Sequence, residues 1–193
     1  MIFRFKSIDS QNFEDILKEV KILSKLSEVH VVRYYESWIE SNSLYIQMEL
    51  CSHNLKKVIE EKTKCFERQS SEAMNSIEFY ISCQLFKELL ESVGYLHESN
   101  PPIIHRDLKP HNILITEESR NGRFLKLCDF GLATFDIRHS LTTVSHSAGK
   151  GSPKYMAPEV ANGTMSRTGY NTKADIFSLG VIAQQLFDID INS

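Results

Sequence analysis

A chain of 193 residues has room for one domain of ordinary size, and 41% hydrophobic with 24% charged residues is the composition of a chain that packs a core in water. That balance excludes a disordered or fibrous class, and a formal net charge of −3 with scattered Lys and Arg excludes nucleic-acid or lipid binding driven by charge alone. Cys51, Cys65, Cys83 and Cys128 form no Cys-x-x-Cys pair and have no His at zinc-ligand spacing, so they read as reduced thiols. The N-terminus lacks the apolar core of a signal peptide and no run reaches membrane-spanning length. The expectation is a cytoplasmic protein with no membrane contact and no direct nucleic-acid binding.

In chain order, Phe13, Ile16, Leu17, Val20, Leu23 and Leu26 recur at helical spacing and predict an amphipathic helix over about 12–27, capped by Asn12. Val29 to Ile39 and Leu44 to Leu50 are β-rich and flank a polar turn, which predicts a hairpin. A short helix begins at Leu55, and the polar stretch from Glu61 to Ser76 reads as a surface insertion. A long helix follows over 77–97, with Ile81, Leu85, Leu89 and Leu96 on one face. Strands over 112–115 and 124–128 are joined through Asn121-Gly122, a good hairpin turn. Thr134 to Ser152 is a long polar loop without periodicity, the kind that is often functional. The last helix, over 172–187, is apolar nearly all round and belongs inside a core.

The chemistry sits between the last two helices. In His105-Arg106-Asp107-Leu108-Lys109-Pro110-His111-Asn112, an Asp able to accept a proton stands five residues before an Asn able to hold a metal. Asp129-Phe130-Gly131 begins twenty-two residues after Asp107, and Glu159 of Ala157-Pro158-Glu159 lies thirty residues after Asp129. Any one of these tripeptides alone is usually a turn or a surface segment. Three in order and in register are a far stronger signal.

In that order they resemble the catalytic loop, metal-binding turn and activation-segment end of the eukaryotic protein kinase superfamily, and the likeness covers nearly all of the chain. The resemblance implies a two-lobed α+β fold over 1–193, with an N-lobe remnant over 1–50 and a C-lobe over 51–193. It implies transfer of the γ-phosphoryl of ATP to a protein hydroxyl with Mg²⁺. Asp107 would accept or orient the proton of the hydroxyl, and Lys109 would offset phosphate charge. Asn112 and Asp129 would hold Mg²⁺ through hard oxygens. Phe130 and His105 would be structural, and His105 is better read as a packed core histidine than as a base. Lys109 and Ser152 fit the Ser/Thr-specific pattern. Asp175, in Asp175-Ile176-Phe177-Ser178-Leu179-Gly180, would take backbone N–H groups of the catalytic loop. Arg106 would receive a phosphate on the activation segment, with Ser147 the first candidate phosphoacceptor and Thr142, Thr143 and Ser145 behind it.

A narrower likeness lies in Val31-Val32-Arg33-Tyr34-Tyr35-Glu36-Ser37-Trp38 and Leu44-Tyr45-Ile46-Gln47-Met48-Glu49-Leu50-Cys51. Both resemble the kinases of the translation initiation factor 2 alpha subunit, which implies that subunit as protein substrate and a homodimer through N-lobe strands outside this chain. By it Met48 would gate the adenine pocket, and Glu49 and Cys51 would offer backbone hydrogen bonds to adenine. Phe3 to Asp9 resembles the third N-lobe strand. That makes Lys6 the phosphate-anchoring lysine and Glu19 its partner. The alternatives are a cell-cycle-type Ser/Thr kinase, which shares these motifs loosely, and a non-catalytic kinase-like scaffold or inactive fragment. The hallmark of a scaffold is loss of Asp107, Asn112 or Asp129, and all three are present.

The pattern departs from the family at its ends. No G-x-G-x-x-G occurs, so the strands of a Gly-rich phosphate loop are expected to be missing upstream. C-lobe helices are expected to be missing downstream, which would leave Glu159 an unpaired, partly buried carboxylate.

Overall fold

The computed structural model describes residues 2–5, 20–41, 43–69, 72–120, 122–130, 133–135, 152–161 and 171–189. In chain order the strands are β1 (Ile2–Phe5), β2 (Tyr34–Glu40), β3 (Ser43–Met48), β4 (His53–Asn54), β5 (Ile103–Ile104), β6 (Ile113–Arg120), β7 (Arg123–Leu127) and β8 (Thr134–Phe135). The helices are α1 (Leu55–Cys65), α2 (Ser76–His97), α3 (Pro158–Ala161) and α4 (Lys173–Leu186). Short 3-10 turns occupy Pro110–Asn112 and Pro153–Tyr155.

The first sheet is antiparallel in the order β1-β3-β2. Side chains alternate across a strand, so Leu44, Ile46 and Met48 of β3 are buried while Tyr45 stacks on Trp38, its cross-strand partner, at 5.3 Å. The β-rich run expected over 29–39 becomes a strand only from Tyr34. Residues 30–32 turn instead to the second sheet: Val32 N–H donates to Leu127 O and Leu127 N–H to His30 O, each at 2.9 Å. Val31 and Val32, adjacent in sequence and both buried, have no solvent face to offer a half-exposed strand. Of the helix expected over 12–27, residues 20–23 are helical, and the chain then tightens through i→i+3 bonds from Lys25 to Ile22 and from Leu26 to Leu23. Asn12, Lys6 and Glu19 lie outside the described residues.

The second sheet runs β4-β6-β7, its hairpin closing over Gly122 at φ 72°. Asn54 caps α1 through Lys57 N–H, and Asn75 caps α2 through the N–H groups of Ile77 and Glu78. α1 runs on to Cys65, through the start of the expected surface insertion, because Lys62 turns inward and is only 6% exposed. One core joins Ile46 of the first sheet, Leu55 of α1, Leu89 and Leu96 of α2, Leu125 and Leu127 of β7, and Leu179 and Ile182 of α4. Two helical expectations are corrected in part. Ile81 is exposed although its stripe partners Leu89 and Leu96 are buried, and α4 is covered on one side only, leaving Ile176 and Phe177 in solvent.

Candidate active site

The site is built around residues 105–112, which link β5 to β6. Asp175 sits in the first turn of α4, where the helix dipole favours a carboxylate, and it is fully buried. One of its oxygens accepts the N–H of Arg106 at 2.9 Å, and the other accepts the N–H of His105 at 2.9 Å and Nε2–H of His97 at 2.8 Å. A buried carboxylate needs donors to offset its desolvation, and here two of them are backbone groups of the loop itself. They hold Arg106 at φ 71°, a left-handed conformation that costs a non-glycine residue about 1 kcal/mol or more.

Beyond that bend Asp107 is 8% exposed and accepts from both sides. Its Oδ2 takes Lys109 Nζ at 2.6 Å and Asn112 Nδ2 at 3.1 Å, and its Oδ1 takes the N–H of Ser152 at 3.1 Å and the Ser152 hydroxyl at 3.2 Å. Asn112 Nδ2 also donates to Asp107 O at 2.9 Å, so its NH₂ is spent on the loop and its side-chain oxygen is left as an acceptor. His105 is buried with Nε2–H donating to Cys128 O at 3.0 Å and Nδ1 accepting from Asp107 N–H at 3.4 Å. With both nitrogens engaged and its ring 4.9 Å from that of buried Phe130, it is a packing and tethering group.

The turn at Asp129 is fixed to this loop. Cys128 N–H donates to Asn112 O at 3.0 Å, so Asp129 follows directly beside Asn112. Asp129 stands at φ 63°, exposed, and has no hydrogen-bond or ion-pair partner among the described residues. An uncommitted carboxylate next to an amide oxygen is a donor set that suits Mg²⁺, which takes one or two protein oxygens and fills its remaining positions with phosphate and water. The residues present fit the metal.

In the first sheet Met48 closes β3 and is buried. Glu49 bonds through its own N–H to Arg33 O at 2.8 Å, Leu50 is exposed, and Cys51 is half-buried. Burial, with the Glu49 carboxylate adding to it, pushes the Cys51 thiol up to about 11, so it is a poor nucleophile. Lys6, Glu19, Gly131, Thr142, Thr143, Ser145 and Ser147 lie outside the described residues. Glu159 is exposed in α3 and does not stand unpaired, so the burial cost foreseen for it does not arise. Two groups near the site were missed. Lys126 is 3% exposed and pairs with Glu49, and Glu88 is buried under the N–H groups of Phe124 and Leu125 at 2.8 and 2.9 Å. A lysine inside the apolar run Phe124-Leu125-Lys126-Leu127 was the available signal for the first.

A protein kinase domain model matches residues 2–190. The chain belongs to the protein kinase family. It is 36% identical over 185 residues to the serine/threonine-protein kinase pakG of Dictyostelium discoideum, covering 96% of this chain and 14% of that protein. It is 32% identical over 182 residues to the serine/threonine-protein kinase dst2 of the same organism, covering 94% of this chain and 14% of dst2. This kinase chain therefore spans about one-seventh of the length of these relatives. Among solved structures it resembles a chain of the yeast RNA Pol II CTD kinase CTDK-1 complex, with a TM-score of 0.70 and 25% identity over 97% of this chain and 54% of that one.

Proposed function

We propose that this domain is a protein serine/threonine kinase that transfers the γ-phosphoryl of ATP to a Ser or Thr hydroxyl of a protein. The observation that carries the reading is the clamp on Asp107, with Lys109 and Asn112 on one oxygen and Ser152 on the other. The carboxylate is held where an incoming hydroxyl can donate to it, and the Ser152 hydroxyl lines the approach. Lys109 places a positive charge beside the reacting position, and Asn112 and Asp129 present the oxygens that would hold Mg²⁺. When bound, the metal supplies charge neutralisation at the phosphates. Asp175 and His105 keep the loop in one geometry, which is most of what phosphoryl transfer asks of a protein.

The finer reading is a kinase of the translation initiation factor 2 alpha subunit acting in the cytoplasm, with the segments Val31–Trp38 and Leu44–Cys51 as its support. Ser147 is the phosphoacceptor proposed to switch it, since Arg106 adjoins Asp107 and can receive a phosphate.

The test is transfer of labelled γ-phosphoryl from Mg-ATP to that subunit and to acceptor peptides bearing Ser, Thr or Tyr. Label on Ser and Thr but not Tyr is expected. Asp107→Asn should lower kcat by roughly 10²–10⁴ with ATP affinity within about twofold, the range general acid–base groups supply. Asp129→Asn should instead weaken Mg²⁺-dependent ATP binding in titration calorimetry. Equal loss of nucleotide binding in both variants would overturn the division of roles.

A further inference from the structure

Lys126 is a charged side chain in a strand whose neighbours Leu125 and Leu127 are fully buried, and it is itself 3% exposed. Such a charge persists in a core only when paired. Its Nζ lies 2.5 Å from Glu49 Oε2, across 77 residues of sequence. The same Glu49 oxygen accepts the N–H of Arg33 at 3.1 Å, and Glu49 N–H returns a bond to Arg33 O at 2.8 Å. Residues 30–32 are in turn bonded to Leu127 on both sides of its peptide unit. The contacts close a ring: from Glu49 to Arg33 by backbone and side chain, from residues 30–32 to Leu127 by backbone, and from Lys126 back to Glu49 by charge.

Two functional segments hang from this ring. Glu49 leads into Leu50 and Cys51, the segment read as the adenine edge of the nucleotide site. Lys126 lies three residues before Asp129, the carboxylate that would hold the metal. The ring thus joins the two segments that the nucleotide reading places at opposite ends of one elongated ligand.

We infer that Glu49 and Lys126 are a positioning pair that fixes the base-binding segment at a set distance from Asp129, so that the nucleotide site is formed before nucleotide arrives. Neither side chain need touch the nucleotide. Removing the pair should release residues 49–51 relative to β7, and binding must then re-order them, which lowers affinity. Chemistry on the bound complex should change less, because the clamp on Asp107 is separate from the ring.

The experiment uses the full chain with Glu49→Gln, Lys126→Met, the double variant, and the charge swap Glu49→Lys with Lys126→Glu. Hydrogen exchange at amides 49–51 and 127–130 is measured without nucleotide, and ATP affinity is measured by titration with and without Mg²⁺. The double variant is expected to exchange about tenfold faster at residues 49–51 and to bind ATP about tenfold more weakly. It should be no worse than either single variant, and the swap should recover most of both effects. The double variant keeps the test open if Glu49→Gln, which strands a buried lysine, fails to fold. Parent-like exchange in a folded double variant overturns the proposal, as do additive effects of the two single changes on ATP affinity. The affinity measurement rests on the nucleotide reading of the cleft, whereas the exchange measurement does not. If the parent itself binds no ATP, the kinase reading fails while the positioning pair is still judged by exchange alone.

Discussion

Two of the buried charge clusters among the described residues are built on opposite plans. At Asp175 and Asp107 the carboxylates collect donors from residues 105–112 together with His97 and Ser152, and three of those donors are backbone N–H groups. At the far end of α4, side chains answer side chains. Glu78, 1% exposed, takes Arg68 through both oxygens at 2.7 and 2.8 Å; Lys62 reaches Asp188 at 2.9 Å and the Leu186 carbonyl at 2.8 Å, and Arg68 also contacts Asp188. This second cluster ties the ends of α1 and α4 to the start of α2. The first plan fixes backbone geometry to a fraction of an ångström, which catalysis uses. The second joins elements and caps a helix, and asks nothing of the backbone beyond proximity.

The contrast can be broken most severely at Asp175. Asp175→Asn turns one acceptor into a donor facing a backbone N–H, and should cost about 3 kcal/mol of stability in denaturant unfolding. It should also cost roughly 100-fold in turnover per folded molecule, since displacing the loop by about 1 Å is enough for that. Turnover near the parent's in a folded Asp175→Asn protein would mean the loop does not depend on α4.

Glu78→Gln breaks the other plan. Leaving Lys62 and Arg68 short of a buried countercharge should cost about 3 kcal/mol in unfolding. Turnover per folded molecule should stay within about twofold of the parent, because none of the hydrogen bonds or ion pairs of this cluster involves the 105–112 loop. A fall in kcat matching that of Asp175→Asn would erase the distinction between the plans.

The triple change Lys62→Met, Arg68→Leu, Glu78→Leu sharpens it further. Side-chain ion clusters are replaceable by apolar side chains of similar volume, so the triple variant should lie within about 1 kcal/mol of the parent despite the larger alteration. No such replacement exists for Asp175, whose backbone partners cannot be mutated away.

The smallest effect comes from a group in neither cluster, and it measures how much of the acid lability lies outside both. His30 stacks on Tyr95 at 4.7 Å; burial holds its pKa below the ordinary 6.5, with Arg123 lowering it further and Glu91 opposing. Below pH 6.5 the unfolded chain takes up a proton that the folded chain resists. Stability should therefore decline as pH drops from the unfolded value toward the folded one, and be unaffected above it. In His30→Gln the slope of unfolding free energy against pH should flatten in that window, and an unchanged slope would place the acid sensitivity elsewhere.

How legible each part was in the sequence follows from the range of its contacts. The bond from Asn112 to Asp107 spans five residues, and that from Lys109 spans two, so spacing along the chain already places these groups together. Helix caps at Asn54 and Asn75 and the hairpin turn at Gly122 are local in the same sense, although Asn75 and Asn54 went unremarked among other polar residues. The expected hairpin forms, but its first strand begins only at Tyr34, because an apolar run can satisfy its backbone on either of two sheets and only assembly chose Leu127 for residues 30–32. Lys62 carries no mark in its polar stretch, and for Lys126 the apolar run around it signals burial but not which carboxylate will meet it. Glu78 stands sixteen residues from Lys62, and Glu49 stands 77 residues from Lys126.

Residue types at short, fixed spacings, then, were enough to show the family, most of the elements in their order and the candidate site residues. Tertiary structure decided which charges are buried, which end of α4 holds the 105–112 loop and which holds α1, and how Glu49 is pinned to Lys126 in the strand before Asp129. Those are matters of desolvation and of distance between residues far apart in the chain, and a carboxylate acquires its role only when the fold brings donors to it.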